Sequence, residues 1–193
     1  FEIGLGGRLD AANCLDPCLS IVTNIALDHM DYLGQTTHAI AREKAAIARP
    51  ERILLTAADE ALETIREQAA LIGARLMVIR EPLTLETGIP GPRQGLNAAL
   101  ARAAGDILCP PVTEKELRVA LSTAFLPGRI ERLGRVILDV AHNPAAISHL
   151  VEHLAGIGFS GTAVLGVLAD KDYLGMTRIL KQVCEEIAIA PVQ

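Results

Sequence analysis

The 193-residue chain is half apolar, only 3% aromatic and without tryptophan. Ala, Leu, Ile and Val must therefore fill its core, the usual mix for helices packed on a parallel sheet. A net charge of −5, with the basic residues scattered, argues against nucleic acid or an anionic membrane as partner.

The chain opens on E-I-G-L-G-G-R-L-D-A-A-N (Glu2–Asn13). Its glycines let backbone N–H groups approach a ligand, and Arg8, Asp10 and Asn13 can hydrogen-bond one; a tight turn after a strand is the plainer reading. Neither a G-x-x-x-x-G-K-[ST] loop nor a G-x-G-x-x-G spacing occurs, so phosphate binding is not assigned to it.

L-S-I-V-T-N-I-A-L predicts a strand ending near Ile25. Asp28, His29 and Asp31 follow it, beyond the carboxyl end of a parallel strand where ligands bind. Such a trio can hold Mg²⁺ or Mn²⁺, or His29 can be a hydrogen-bonding surface residue. T-T-H-A-I-A-R-E-K-A-A-I-A-R predicts a helix with Lys44 among alanines. That lysine is either partly buried and paired or reactive, or part of a solvated Glu43/Lys44 face.

R-I-L-L-T-A, A-D-E-A-L-E-T-I-R-E-Q-A-A-L-I-G and A-R-L-M-V-I continue the alternation as strand, helix and strand. A βαβ pattern makes these strands parallel. Residues 80–95 carry three prolines and three glycines and form a loop. Helices follow at G-L-N-A-A-L-A-R-A-A-G and at T-E-K-E-L-R-V-A-L-S-T-A-F, where Thr113 and Glu116 form a capping box.

L-P-G-R-I-E-R-L-G breaks the pattern as a domain junction. R-V-I-L-D-V-A, N-P-A-A-I-S-H-L-V-E-H-L-A-G-I-G, T-A-V-L-G-V-L-A, G-M-T-R-I-L-K-Q-V-C-E-E-I and A-I-A-P-V then predict a second α/β domain with three parallel strands. Arg129 lies in the junction and Asp139 near a strand end. Asn143 as N-cap and Pro144 at N1 start a helix whose N-terminus could receive an anion, with His142 beside it. Both ends of the chain read as truncations. Cys14, Cys18, Cys109 and Cys184 show no zinc spacing and read as reduced thiols of a cytoplasmic protein. There is no apolar run of about 18 residues and no secretory leader pattern. His38, His149 and His153 read as structural or surface residues.

E-I-G-L-G-G-R-L-D-A-A-N, T-N-I-A-L-D-H-M-D-Y-L-G, I-A-R-E-K-A-A-I, L-P-G-R and D-V-A-H-N-P, in this order, closely resemble the folylpolyglutamate synthase/dihydrofolate synthase family, a branch of the Mur ligase superfamily. The resemblance implies a partial P-loop-type parallel-sheet ATPase domain over 1–127, with its phosphate loop missing. A partial Rossmann-like α/β ligase domain follows over 128–193.

The implied activity is ATP-dependent joining of L-glutamate to dihydropteroate and/or folate through an acyl phosphate, giving ADP and phosphate. The implied cofactors are ATP and Mg²⁺ or Mn²⁺, with a monovalent cation, in a cytoplasmic monomer that binds neither nucleic acid nor membrane.

Residue by residue, Glu2 and His29 resemble magnesium ligands and Lys44 the lysine that the family carbamylates. Leu9, Asp10 and Ala11 resemble the pterin-contacting segment. Asn97, Arg129, Asp139 and His142 resemble nucleotide-contacting positions, with the nucleotide closed between two domains. Asn97 matches its motif only loosely. This chain alone is expected to be inactive. Another Mur-type ligase is the second reading, against which G-L-G-G-R-L-D-A-A-N argues, and a non-catalytic folate-binding remnant is the third.

Overall fold

The computed structural model describes residues 1–190; Pro191 and Val192 of the expected strand A-I-A-P-V lie outside them. The described chain divides into two compact units, residues 1–84 with 95–117, and residues 85–94 with those from 118 onward. The sequence reading divides the chain at 127/128, whereas packing groups 118–127 and the loop 85–94 with the second unit.

In the first unit, β1 (Leu19–Val22) leads through a one-turn helix α1 (Met30–Leu33) to α2 (Thr37–Ala45). β2 (Ile53–Thr56), α3 (Leu62–Ile72) and β3 (Arg75–Val78) follow. The strands pair in the order β1-β2-β3, all parallel, in the register Leu19↔Ile53↔Arg75. Parallel neighbours need long crossovers, and the helices between the strands supply them.

Side-chain alternation along β2 sends Leu54 to one face, against Ile40, Ala41 and Ala45 of α2 and Ile65 and Ala69 of α3. Leu55 goes to the other, against Leu96 and Leu100 of α4 (Gln94–Leu108). The strand is thus buried on both sides, as a central parallel strand must be. The buried hydroxyl of Thr56 donates to Val22 O at 2.7 Å, so it carries no desolvation debt. α5 (Glu114–Ser122) starts with the expected capping box: Glu116 N–H donates to Thr113 Oγ1, and Thr113 N–H donates to Glu116 Oε2 at 2.7 Å.

The second unit holds β4 (Glu131–Leu133) and β5 (Val136–Leu138), then α6 (Pro144–Gly156), β6 (Gly161–Leu165), α7 (Tyr173–Leu180) and β7 (Cys184–Ile189). β6 and β7 are parallel and lie against α6 and α7 through Ile147, Val151, Leu165, Met176 and Leu180.

Two expectations are corrected here. R-V-I-L-D-V-A does not join a parallel sheet; β5 pairs antiparallel with β4, which the sequence reading took for junction. Gly134, at φ 60°, opens a two-residue turn of the kind that closes hairpins. The expected helix G-M-T-R-I-L-K-Q-V-C-E-E-I ends at Leu180, and its last residues begin β7. Among the described residues, no helix is long and apolar enough to cross a membrane.

Candidate functional site

The glycine-rich opening is folded around one carboxylate. Asp10 Oδ2 accepts from Gly4 N–H at 2.9 Å and Leu5 N–H at 3.1 Å, and Oδ1 accepts from Ala12 N–H at 2.9 Å, capping the 3₁₀ turn Ala11–Cys14. Donation from the Ala12 amide, then from Leu5 and Gly4, holds the Asp10 carboxyl below its ordinary value. Asn13 Nδ2 donates to Arg8 O at 3.0 Å, while its Oδ1 is buried without a partner. Leu9 stands 80% exposed beside them.

This loop lies directly on the helices that carry the next two motifs. A Cβ on Gly6 would come within 2.8 Å of Leu33 in α1. One on Gly7 would come within 2.6 Å of Glu43 O and 2.9 Å of Ile47. Only glycine at position 7 permits that approach to α2. Arg8 completes the seat: its N–H donates to Glu43 O at 3.1 Å, and its Nε donates to Glu43 Oε1 at 2.8 Å. Thus the glycine-rich loop packs both on α1, which follows His29, and on the turn that holds Glu43 and Lys44, while Glu2 itself is exposed.

His29 sits in the left-handed region at φ 50°, ψ 39°, immediately before α1. That conformation is uncommon for a residue with a Cβ and marks a position held by its surroundings. Asp28 Oδ1 accepts from the His29 N–H at 2.9 Å, and its Oδ2 lies 3.9 Å from His29 Nε2. Lys44 is half-buried in the last turn of α2, one turn beyond buried Ile40, and Glu43 is half-buried as well. Arg42 is the exposed residue of this turn, so Glu43 and Lys44 do not form an open charged face.

In the second unit, Asp139 also serves its own backbone. Oδ2 accepts from Ile130 N–H at 2.9 Å and Oδ1 from Ala141 N–H at 2.8 Å, which ties the L-P-G-R turn to the end of β5. Arg129 is exposed on an open groove of about 410 Å³ with Phe125, Leu126 and Ile130. His142 Nδ1 lies 3.0 Å from Val140 O. A carbonyl can only accept, so Nδ1 carries the proton. Asn143 Oδ1 accepts from Ala146 N–H at 2.9 Å with Pro144 in the first turn, as the capping pattern requires. Asn97 is exposed on α4.

Sequence reasoning passed over three contacts. Arg8–Glu43 joins residues 35 positions apart, with no local signal. Arg49 donates to Ile47 O, Ala48 O, Asn13 O and Leu15 O, binding the end of α2 to the opening turn. His149 Nε2 accepts from Arg93 Nε at 3.3 Å, so it is partnered after all.

No protein-family model matches the chain. Over its whole length it is 36% identical to the dihydrofolate synthase/folylpolyglutamate synthase of Escherichia coli K12 and covers 51% of that protein. The chain belongs to the folylpolyglutamate synthase/dihydrofolate synthase family. It spans about half the length of the dihydrofolate synthase/folylpolyglutamate synthases it matches and 26% of the bifunctional folylpolyglutamate synthase/dihydropteroate synthase of Haloferax volcanii. Escherichia coli FolC in complex with DHPP and ADP superposes at TM-score 0.84 and 34% identity, over 96% of this chain and 50% of that one. The family member from Yersinia pestis complexed with AMPPNP and Mn ion does so at 0.84 and 33%, over 96% and 50%.

Proposed function

We propose that this chain forms part of an ATP-dependent amide ligase, joining L-glutamate to dihydropteroate and/or folate. ATP phosphorylates the pteroate or folate carboxylate, and the glutamate amine attacks that acyl carbon. The tetrahedral intermediate then expels phosphate, leaving an amide, ADP and phosphate. The observation that carries the reading is the packed corner in which Gly6 and Gly7 seat the E-I-G-L-G-G-R segment on α1 and α2. Three motifs of a family with ADP- and AMPPNP-bound members meet there.

The donor set fits a small divalent cation. Asp28 Oδ2 and His29 Nε2, 3.9 Å apart, bring together a carboxylate oxygen and an imidazole nitrogen, donor types that Mg²⁺ and Mn²⁺ accept. Glu2 and His29 hold Mg²⁺ or Mn²⁺ in this reading. Such an ion supplies neutralisation of the phosphoryl charge. The Lys44 ammonium loses a proton, and the free amine then attacks CO₂, forming an N–C bond and releasing a second proton, so that a cation becomes a carbamate anion.

Leu9 and Ala11 offer exposed apolar surface to a flat pterin ring, and Asp10 fixes the loop that presents them. Arg129, Asp139, His142 and Asn97 contact the nucleotide. The enzyme works with a monovalent cation as a cytoplasmic monomer, a setting that suits its four free cysteines.

The test is a chimera in which this chain replaces the matching half of the Escherichia coli relative. Mass spectrometry should show glutamate added to dihydropteroate or folate, with ADP formed only when both substrates are present. A folded chimera that instead extends a muramyl nucleotide, or that binds folate without turnover, would contradict the reading. The 193-residue chain alone, which contains no G-x-x-x-x-G-K-[ST] loop, is expected to release no ADP.

A further inference from the structure

We infer that Arg8 and Glu43 are a positioning pair, which fixes the last turn of α2 and its Lys44 against the loop that carries Glu2. This rests on the metal-site reading above and adds to it two residues that touch neither metal nor substrate. Three contacts converge at one spot: the 2.8 Å Arg8–Glu43 ion pair, the 3.1 Å donation from Arg8 N–H to Glu43 O, and the close seat of Gly7. The glycine seat and the backbone bond bring the loop onto the helix, and the ion pair ties the Glu43 side chain to it. The ion pair adds control of charge.

Glu43 is the immediate neighbour of Lys44. With its carboxylate neutralised by Arg8, a second anion can form at Lys44 without like-charge repulsion, and Glu43 is kept from pairing with the Lys44 ammonium or the metal. Residues that orient metal-site groups from behind typically cost about 10–100-fold in metal affinity when removed. The bond runs from one Nε to one carboxylate oxygen, so a lysine at position 8 can replace it in part.

The test titrates Mn²⁺ into the 193-residue chain by electron paramagnetic resonance and follows a carbamate carbon by NMR in ¹³C-bicarbonate, with Lys44→Arg assigning the signal. Arg8→Ala and Glu43→Gln should each weaken Mn²⁺ binding about tenfold and remove the carbamate signal. Their melting temperature should fall by no more than about 4 °C, as expected for a partly exposed pair. Arg8→Lys should restore most of both signals. Wild-type affinity and carbamate in Arg8→Ala and Glu43→Gln would overturn the positioning role alone. A wild-type chain that neither binds Mn²⁺ nor forms a carbamate would overturn the metal-site reading and this inference with it.

Discussion

The first unit closes its core on both faces of β2, where Leu54 and Leu55 are both fully buried. The second covers β6 and β7 on one face and leaves Val164 73% exposed on the other. In its turn and hairpin, Phe125, Leu133 and Val136 are also more than half exposed. The same α/β alternation therefore yields two different balances of burial. A central parallel strand is held by apolar surface on two sides, whereas a two-stranded pair rests on one. The glycine-rich loop packs on α2, whose buried Ile40 and Ala41 belong to this core.

The largest expected effect is at that doubly covered strand. Leu54→Ala should cost about 2–5 kcal/mol in urea unfolding, because both helices above it cannot collapse into the cavity. A cost below 1 kcal/mol would mean that the unit is loosely packed. Gly7→Ala comes next, at about 1–3 kcal/mol, since its Cβ would drive Glu43 and Ile47 away from the loop. It should also weaken Mn²⁺ binding, which separates the corner from the rest of the core.

Acid should distinguish the units by the pH at which each loosens. Asp10 in the first unit has a lowered folded pKa, so its contribution is complete above its ordinary value of 3.8 and is lost as pH falls through the lower folded value. His149 in the second unit is also lowered, by burial and then by the nearby Arg93, with Glu152 opposing. A neutral imidazole is favoured in the fold, so stability there falls as pH drops below 6.5 toward the folded value. Proton-resolved hydrogen exchange should show the Arg93–His149 region opening first, and His149→Gln should remove that early phase. Simultaneous opening of both units would contradict the assignment. The smallest effect is expected at Val164→Thr, within about 0.5 kcal/mol; a cost above 1 kcal/mol would show that this face is covered in solution.

The same contrast explains what was legible in the sequence. In the first unit, apolar periodicity revealed each strand of the sheet and the helices α2 and α3, because burial on both faces writes long unbroken signals. The one-turn α1 was too short to leave a period. In the second unit only the end of β7, Ala188 and Ile189, fell within the expected strand A-I-A-P-V, and its start read as helix: Gly161 pairs with Cys184 and Thr162 with Glu186, so an irregularity at Glu185 interrupts the alternation. The hairpin partner β4 has only three residues, and Gly134 looked like a linker rather than a turn.

At the candidate site, the family resemblance singled out Asp10 and Asp139 as ligand contacts. It could not show that each carboxylate accepts backbone N–H groups, because those bonds depend on local chain path. Nor could it show Arg8 meeting Glu43 across 35 residues.

The most direct measurement is anomalous X-ray diffraction from crystals of this chain soaked in Mn²⁺. The account predicts a manganese peak within bonding distance of the Glu2 carboxylate and the His29 imidazole. The absence of a peak there at saturating Mn²⁺, or a peak only on other carboxylates, would contradict it.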